Sequence, residues 1–380
     1  MLNQTKYSIP PKVLLCLILL FTLFSKNCIV PYEPDPVENE EAIIVSGIIT
    51  DQPGINTIRL TTSFPVSQLA SVKPLQGCTV WISDEMGRID TLKEIIRGTY
   101  ATDSVTFRGQ VGKIYTLHIR TNKAKGNLSF ESYPMEMIAV PEIDSIYYEK
   151  RDYMLNNMQV EGCDIYLDAH DISGTCNFYR WEFSETWEFH LPFDVKYKIC
   201  WFNENSKGIL IQNSAVLENG TVEGFPLHSI INPVDRLKIK YSMLIKQYSL
   251  NEDEYLYWDR VRNISEQVGS LYDLIPAAIP NNIYCIENPD EKILGYFSVS
   301  ATTSKRIFIK DNFKGQNGLY AGCISDTLYE GDVIEESYWV LFDRSINGQL
   351  PYKVITYDSV CVDCRFRGTD IKPSFWDDDK

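Results

Sequence analysis

The sequence predicts a mainly β protein built from two β-sandwich domains of the immunoglobulin/fibronectin-like kind, the second with an inserted α-helix. Short β-branched segments separated by turn residues recur between residues 42 and 140, at the spacing of sandwich strands. A longer run after residue 178 alternates apolar and polar side chains. The predicted organisation is a signal peptide at 1–27, an acidic tether at 28–41, an N-terminal sandwich at 42–140 and a C-terminal β-rich domain at 141–380.

The chain begins with the features of a secretory signal. Lys6 and Lys12 precede an apolar run at 13–24, which is shorter than the roughly 20 residues that span a bilayer. Cys28 follows the run and is the expected site of cleavage and acylation in a bacterial lipoprotein. The alternative is a plain secretory signal with an incidental cysteine.

The residues after Cys28 have the composition of an extended tether. Between Pro31 and Glu41 the chain has five carboxylates, three prolines and no basic residue, so this segment cannot bury a core. The whole sequence has a formal net charge of −15. Such acidity argues against nucleic acid as a partner, because phosphates need Lys or Arg to neutralise them. It also argues against an electrostatic hold on anionic lipid, so acyl chains would have to supply membrane attachment.

In the predicted N-terminal sandwich, β-branched segments at 43–49 and 57–62 flank the turn Asp51-Gln52-Pro53-Gly54, which has Pro and Gly at favoured positions. Further short segments continue this pattern to residue 132. None has a helical period, which favours strands throughout.

In the run from Tyr179 to Trp201, the odd positions other than 185 have apolar side chains and most even positions have polar ones. This predicts strands with one buried face, paired around a bend near Pro192, since the run exceeds the usual strand length. Its tryptophans, Trp181, Trp187 and Trp201, are candidates for stacking on a sugar ring. The alternative, which the alternation favours, is that these rings form the inner face of a sandwich.

One stretch, near 251–273, has a helical period. Asn251 and Glu254 have the spacing of a capping box. Apolar residues then recur at three- and four-residue steps, and Pro276 ends the pattern.

Eight cysteines remain besides Cys16 and Cys28, and an exported chain permits disulfides. We expect the local pairs, Cys361 with Cys364 and Cys163 with Cys176. The alternative is that several cysteines are small buried apolar residues. We expect no metal site and no cofactor, since Cys361-Val362-Asp363-Cys364 has no second ligand pair.

No catalytic residues can be named. The sequence has no nucleophile elbow, no His-Glu-x-x-His, no phosphate-binding glycine loop and no calcium loop. The aromatic pair Phe375-Trp376, close to the C-terminus, is expected to pack on the second domain, with a Cys361–Cys364 bridge bracing the turn before it.

Several stretches together resemble a family of Bacteroidota outer-membrane lipoproteins of unknown function that are commonly encoded beside TonB-dependent receptors. The stretches that resemble this family are Gly47-Ile48-Ile49-Thr50-Asp51-Gln52-Pro53-Gly54, Gly269-Ser270-Leu271-Tyr272, Leu294-Gly295-Tyr296-Phe297-Ser298, Cys361 through Thr369, and Lys372-Pro373-Ser374-Phe375-Trp376. The resemblance implies an outer-membrane lipoprotein exposed at the cell surface, with a TonB-dependent receptor as partner. It supplies no catalytic residues.

Three functions are therefore open. The first is a non-enzymatic, lipid-anchored accessory to a TonB-dependent receptor, acting in ligand capture or uptake. The second is a structural or assembly component of the cell envelope. The third is a glycan-acting hydrolase, which would need two carboxylates facing each other in a cleft.

Overall fold

The described residues of the computed structural model are 42–63, 73–155, 157–231, 235–267, 279–314, 323–324, 326–329, 331–332, 339–344 and 352–377. The expected signal peptide, Cys28 and the tether lie outside the described residues, as do residues 268–273 of the expected helix. Where the structure is described, it is mainly β.

The first sheet has eleven strands, and short β-branched segments supply most of them. They are β1 (Ile43–Thr50), β2 (Thr57–Thr62), β3 (Lys73–Pro74), β4 (Thr79–Asp84), β5 (Ile89–Ile96), β6 (Thr99–Ala101), β7 (Ile114–Arg120), β8 (Ser129–Ser132), β9 (Met135–Glu136), β17 (Ile283–Cys285) and β18 (Ile293–Ser300). The main order is β17-β8-β7-β4-β5-β6-β2-β1-β18, with β3 on β2 and β9 on β7.

This sheet curls into a nearly closed, barrel-like layer, because β17 and β18 stand at its two ends yet follow each other in the chain. The buried Asn282 side chain joins these ends. Its Nδ2 donates to the Phe297 carbonyl at 2.8 Å, and its Oδ1 accepts from the Phe297 amide at 3.0 Å. One side chain thus makes the two bonds that a neighbouring strand would otherwise make.

The parallel pairing of β18 with β1 closes the other side of the layer, with Val45 opposite Gly295. Gly295 has φ +96°, and a Cβ there would lie 1.8 Å from the Val45 carbonyl oxygen. Both the dihedral angle and the close approach therefore require glycine.

Two further sheets pack face to face on the other side of the molecule. The second sheet contains β12 (Phe178–His190), β13 (Ile199–Asn205), β14 (Leu210–Asn213), β16 (Lys240–Leu250) and β19 (Thr302–Ile309). The third contains β10 (Ile143–Leu155), β11 (Met158–Ala169) and β15 (Val222–Ile230). Their facing side chains share one core, in which the ring centroids of Trp181 and Phe225 are 4.4 Å apart.

A fourth, small sheet is formed by β20 (Asp326–Tyr329), β21 (Trp339–Arg344) and β22 (Tyr352–Thr356). Short 3₁₀ turns lie at Lys123–Lys125, Glu218–Gly220, Asp235–Leu237, Ser359–Cys361 and Cys364–Phe366.

The alternating run folds as predicted. β12 and β13 pair antiparallel around the bend that contains Pro192, with Trp187 opposite Phe202. Tyr179, Trp181 and Phe183 are buried in the core between the second and third sheets. Along β12 the alternation therefore marks a buried face, as a periodicity of two implies. It does not extend into β13, where Ile199 is 44 % exposed and Cys200 is buried.

The helix α1 (Glu252–Gln267) begins where the sequence places it. The Asn251 side chain accepts a hydrogen bond from the Glu254 amide at 2.8 Å, which is half of the expected capping box. Glu254 does not complete the box; its side chain turns inward and is fully buried.

Both predicted disulfides are wrong. Cys364 bonds to Cys200, and Cys361 bonds to Cys323. Cys361 and Cys364 lie on two consecutive 3₁₀ turns, and each reaches a different part of the chain. They therefore tie the C-terminal segment to the rest of the fold instead of closing a local loop.

Cys163 and Cys176 are free and buried, in line with the alternative that some cysteines serve as apolar core residues. Cys163 lies within β11, whereas Cys176 lies in the turn before β12, where the Asp171 carboxylate accepts its amide hydrogen at 2.7 Å. Burial raises the pKa of both thiols to about 12.

The mainly β class is confirmed, whereas the division into two sandwich domains is not. Residues 41–380 form one compact unit. Strands β17 and β18, which the prediction assigns to residues 141–380, complete the sheet of residues 42–140. The boundary near residue 140 is therefore wrong, because the chain returns to its first sheet after building the second and third.

The C-terminal segment runs beside β13, where Trp201 and Thr369 exchange both backbone hydrogen bonds, at 2.8 and 2.9 Å. Trp376 is 4 % exposed, lies edge-on to the Trp201 and Phe308 rings, and donates from Nε1 to the Glu188 carboxylate at 3.1 Å. The expected packing is confirmed for Trp376, whereas Phe375 is 37 % exposed. In place of the expected Cys361–Cys364 bridge, these two cysteines form separate disulfides with Cys323 and Cys200.

We predict that Gly295→Ala lowers the free energy of unfolding by about 3 kcal/mol, because the new Cβ overlaps the β1 backbone in a strained dihedral region. Urea unfolding of the purified variant measures this. The control is Gly208→Ala, where a Cβ meets no atom within 4 Å, and we expect it to be nearly neutral. Equal stability of the two variants would contradict the requirement for glycine at 295.

We predict that truncation after Thr369 lowers the free energy of unfolding by about 3 kcal/mol, because it removes the buried Trp376 ring. Thermal and urea unfolding measure the loss. Ile371→Ala, at a side chain 75 % exposed, is the control and should change little. An unchanged midpoint after truncation would show that the tail packing contributes nothing to stability.

Candidate functional site

Three cavities adjoin one another along β12. The largest, about 510 Å³, lies over β12 and β16 below the loop at 205–210. A second, of about 380 Å³, lies between the first sheet, α1 and β12. The third, of about 330 Å³, lies at the Glu185 end. The first two share Arg180, Glu182 and Trp258 in their walls, and we call them together the central cleft.

Alternation along β12 explains which side chains reach the central cleft. Odd positions face the core, so Arg180 and Glu182 lie on the opposite face. That face is covered in part by α1, whose Trp258 lies over it, and Arg180 is therefore only 8 % exposed. A rigid strand and a capped helix thus fix the walls of the cleft.

The Arg180 guanidinium is held between two aromatic rings. Its carbon lies 4.7 Å from the centre of the Tyr248 ring and 4.5 Å from that of the Trp258 ring. Its Nη2 lies 3.2 Å from a Glu182 oxygen, and the Tyr248 hydroxyl donates to the other Glu182 oxygen at 2.9 Å. Arg180 Nε is buried and has no hydrogen-bond partner within the described part of the chain. Cation–π contacts stabilise such a desolvated cation.

Glu254 lies one turn before Trp258 in α1 and is fully buried. Its Oε1 accepts from the Trp258 indole nitrogen at 3.3 Å, while Oε2 has no partner among the described residues. Burial raises the pKa of Glu254 to about 7, and hydrogen bonding from Ser298 and the charge of Arg180 oppose the rise only in part. A carboxyl group that can be neutral near pH 7 is typical of binding and catalytic sites.

The third cavity contains two carboxylates joined through one arginine. Arg236 Nη1 lies 2.9 Å from Glu185, and its Nη2 lies 2.6 Å from Glu204. Burial raises the pKa of Glu185, and the hydrogen bond from Lys207 lowers that of Glu204. The Tyr241 hydroxyl also donates to Glu185 at 2.8 Å. These contacts form an ion-pair network in which the arginine occupies oxygens of both carboxylates.

A separate series of hydrogen-bonded polar side chains crosses the outer face of the first sheet. The Ser83 hydroxyl lies 2.8 Å from His118 Nε2, and His118 Nδ1 lies 3.1 Å from Glu131. The Trp81 ring stacks on the imidazole at 5.0 Å. The three residues lie on the adjacent strands β4, β7 and β8, so cross-strand pairing alone brings them together.

The three tryptophans that the sequence offers as candidates for stacking on a sugar ring do not form an exposed binding surface. They are buried, as the alternative interpretation predicts. Trp181, Trp187 and Trp201 are 0 %, 3 % and 8 % exposed. Trp181 is one of the residues lining the larger cavity of the central cleft, but its side chain is buried in the core. Trp258, which the sequence presents only as part of a helical stripe, lines both cavities of the cleft. Arg180 and Glu254 were not found by sequence reasoning, because a charged residue on an alternating strand or in a first helical turn normally faces water.

Within the described ranges, no group of three or more His, Cys, Asp or Glu side chains is arranged to hold a metal ion. Among the same residues, no helix is both long enough and apolar enough to cross a membrane.

Comparison with protein families shows that the chain belongs to the family defined by a domain of unknown function, DUF4249, whose model matches residues 29–306. A comparison with curated proteins found no match. The family match starts directly after Cys28 and contains all the residues of the central cleft.

We predict that Glu254 makes stability depend on pH. Because its pKa is higher in the folded chain, about 7, than the roughly 4.3 of an unfolded glutamate, the folded state binds more protons between these values. Its contribution is present at low pH and is lost as pH rises through about 7. Glu254→Gln should remove this loss. The free energy of unfolding of the variant, relative to that of wild type, should therefore rise by up to about 3 kcal/mol between about pH 5 and about pH 8.

Urea unfolding of wild type and variant at several pH values measures that difference. The matched control is Glu252→Gln, an exposed carboxylate in the same helical turn, whose difference from wild type should stay flat over this range. A flat difference for Glu254→Gln as well would contradict the raised pKa.

Proposed function

We propose that this protein is a non-enzymatic, lipid-anchored outer-membrane protein that captures a ligand in the central cleft and serves as accessory to a TonB-dependent receptor. The observation that carries the proposal is Arg180, a buried cation that lines both cavities of the cleft and whose Nε has no partner in the described chain. A buried donor left without a partner destabilises the free protein, so its presence beside a cavity supports a binding role.

The anchoring part of the proposal rests on the sequence. The apolar run at 13–24, Cys28 and the acidic tether fit a bacterial lipoprotein held by its acyl chains. The family match beginning at residue 29 fits cleavage before Cys28. The Bacteroidota origin and the receptor partnership rest on the sequence resemblance described above.

An assembly role is a second candidate, favoured by apolar side chains exposed on and beside β5. Ile89, Ile95 and Ile96 are 63 %, 52 % and 68 % exposed, and Met86 and Val105 are 81 % and 90 % exposed. Apolar surface of this kind fits contact with another protein. A docking surface on the first sheet is also compatible with an accessory that holds its ligand in the cleft.

Purification of the tagged protein in mild detergent from its own outer membrane, followed by mass spectrometry, tests the proposal. We expect a TonB-dependent receptor in stoichiometric amount. The control is Cys28→Ala, which should move the protein to the aqueous phase on detergent phase separation, because it has no acyl chain. Recovery of the protein alone, or with assembly factors only, would overturn the receptor role and favour the second candidate.

A further inference from the structure

The walls of the central cleft have the opposite charge to the protein as a whole. The chain has a formal net charge of −15. Among the described residues that line the two cavities, the charged side chains are nevertheless Arg59, Arg180, Lys207 and Lys246 against Glu182 alone. Arg180 pairs with Glu182, and Lys207 pairs with Glu204. Neither Arg59 nor Lys246 makes an ion pair within the described chain, so the cleft retains uncompensated positive charge.

Hydroxyl groups line the smaller cavity beside these cations. They belong to Ser46, Thr57, Thr99, Tyr257, Tyr296 and Ser298. Tyr296 is 5 % exposed, and its hydroxyl has no hydrogen-bond partner among the described residues. A cavity with convergent hydroxyls and an unpartnered buried phenol fits a ligand that has several hydroxyl groups of its own.

From these observations we infer that the ligand is a polyhydroxylated oxyanion, a sugar acid or a sugar phosphate, whose anionic group lies beside Arg180 between Arg59 and Lys246. Of the described cations, Arg180 is the one that lines both cavities, and its buried Nε has no hydrogen-bond partner among the described residues. The hydroxyl-lined cavity receives the neutral part of the ligand. This inference deepens the proposed function and depends on it for the use of the cleft as a binding site.

The placement of Arg59 and Lys246 makes the charge testable without disturbing the core. Both side chains are exposed, one on β2 and the other on β16. Their replacement by Gln removes two charges and leaves Arg180 and its rings in place. The matched control is the double variant Lys93→Gln/Arg120→Gln, which removes two exposed charges from the first sheet outside the cleft.

Isothermal titration calorimetry on the full lipid-anchored chain in detergent tests the inference with D-glucuronate, D-glucose 6-phosphate and D-glucose as probes. We expect at least one anion to bind, with an affinity that falls as salt rises and about tenfold above that of glucose. Arg59→Gln/Lys246→Gln should weaken this binding about tenfold, and the control double variant should leave it unchanged. Preference for glucuronate identifies a carboxylate ligand, and preference for the phosphate identifies a phosphorylated one.

Equal binding of glucose and the anions would overturn the inference while leaving the cleft as a ligand site. Binding of none of the probes up to about 10 mM, the range of weak sugar affinities, would also overturn it. Receptor co-purification is independent of these titrations. A stoichiometric receptor together with failed titrations would therefore leave the proposed accessory role standing and reject only the ligand class.

Discussion

The parallel pairing of β1 with β18 is the contact on which the rest of the structure depends. Eight residue pairs, from Ile43 with Ile293 to Thr50 with Ser300, join segments about 250 positions apart. The chain then turns at Ala301 and enters the second sheet as β19. The Ser249 hydroxyl accepts the Ala301 amide hydrogen at 3.1 Å, and Asp51 accepts that of Thr302 at 2.8 Å. One corner therefore fixes the second sheet against the first.

The central cleft is a consequence of that corner. Because β18 belongs to the first sheet and β12 to the second, Tyr296 and Arg180 line the same cavity. Helix α1, which contains Trp258 and Glu254, packs against this cavity. Burying an arginine and a carboxyl group is unfavourable unless each has partners. Two rings and Glu182 provide them for Arg180. The polar atoms still without partners in the described chain are the ones that a ligand or water can satisfy.

Other contacts protect this arrangement at its edges. The C-terminal segment adds hydrogen bonds beside β13, and two long-range disulfides join it to Cys200 and Cys323. Covering an edge strand removes a template for unwanted pairing, and disulfides persist in the oxidising space outside the cytoplasm. Both features suit a protein that works at a cell surface, which is the setting we propose for it.

The sequence by itself determined what depends on neighbours along the chain. It predicted the mainly β class, the bend near Pro192, the start of α1 at Asn251 and the packing of Trp376, since periodicity, caps and turn residues act over a few positions. Only the tertiary structure decided the β1–β18 closure, the partners of Cys361 and Cys364, and the burial of Arg180 and Glu254. These features depend on contacts between residues far apart in the chain. No local sequence pattern distinguishes an arginine on the solvent-exposed face of an alternating strand from one that a helix covers.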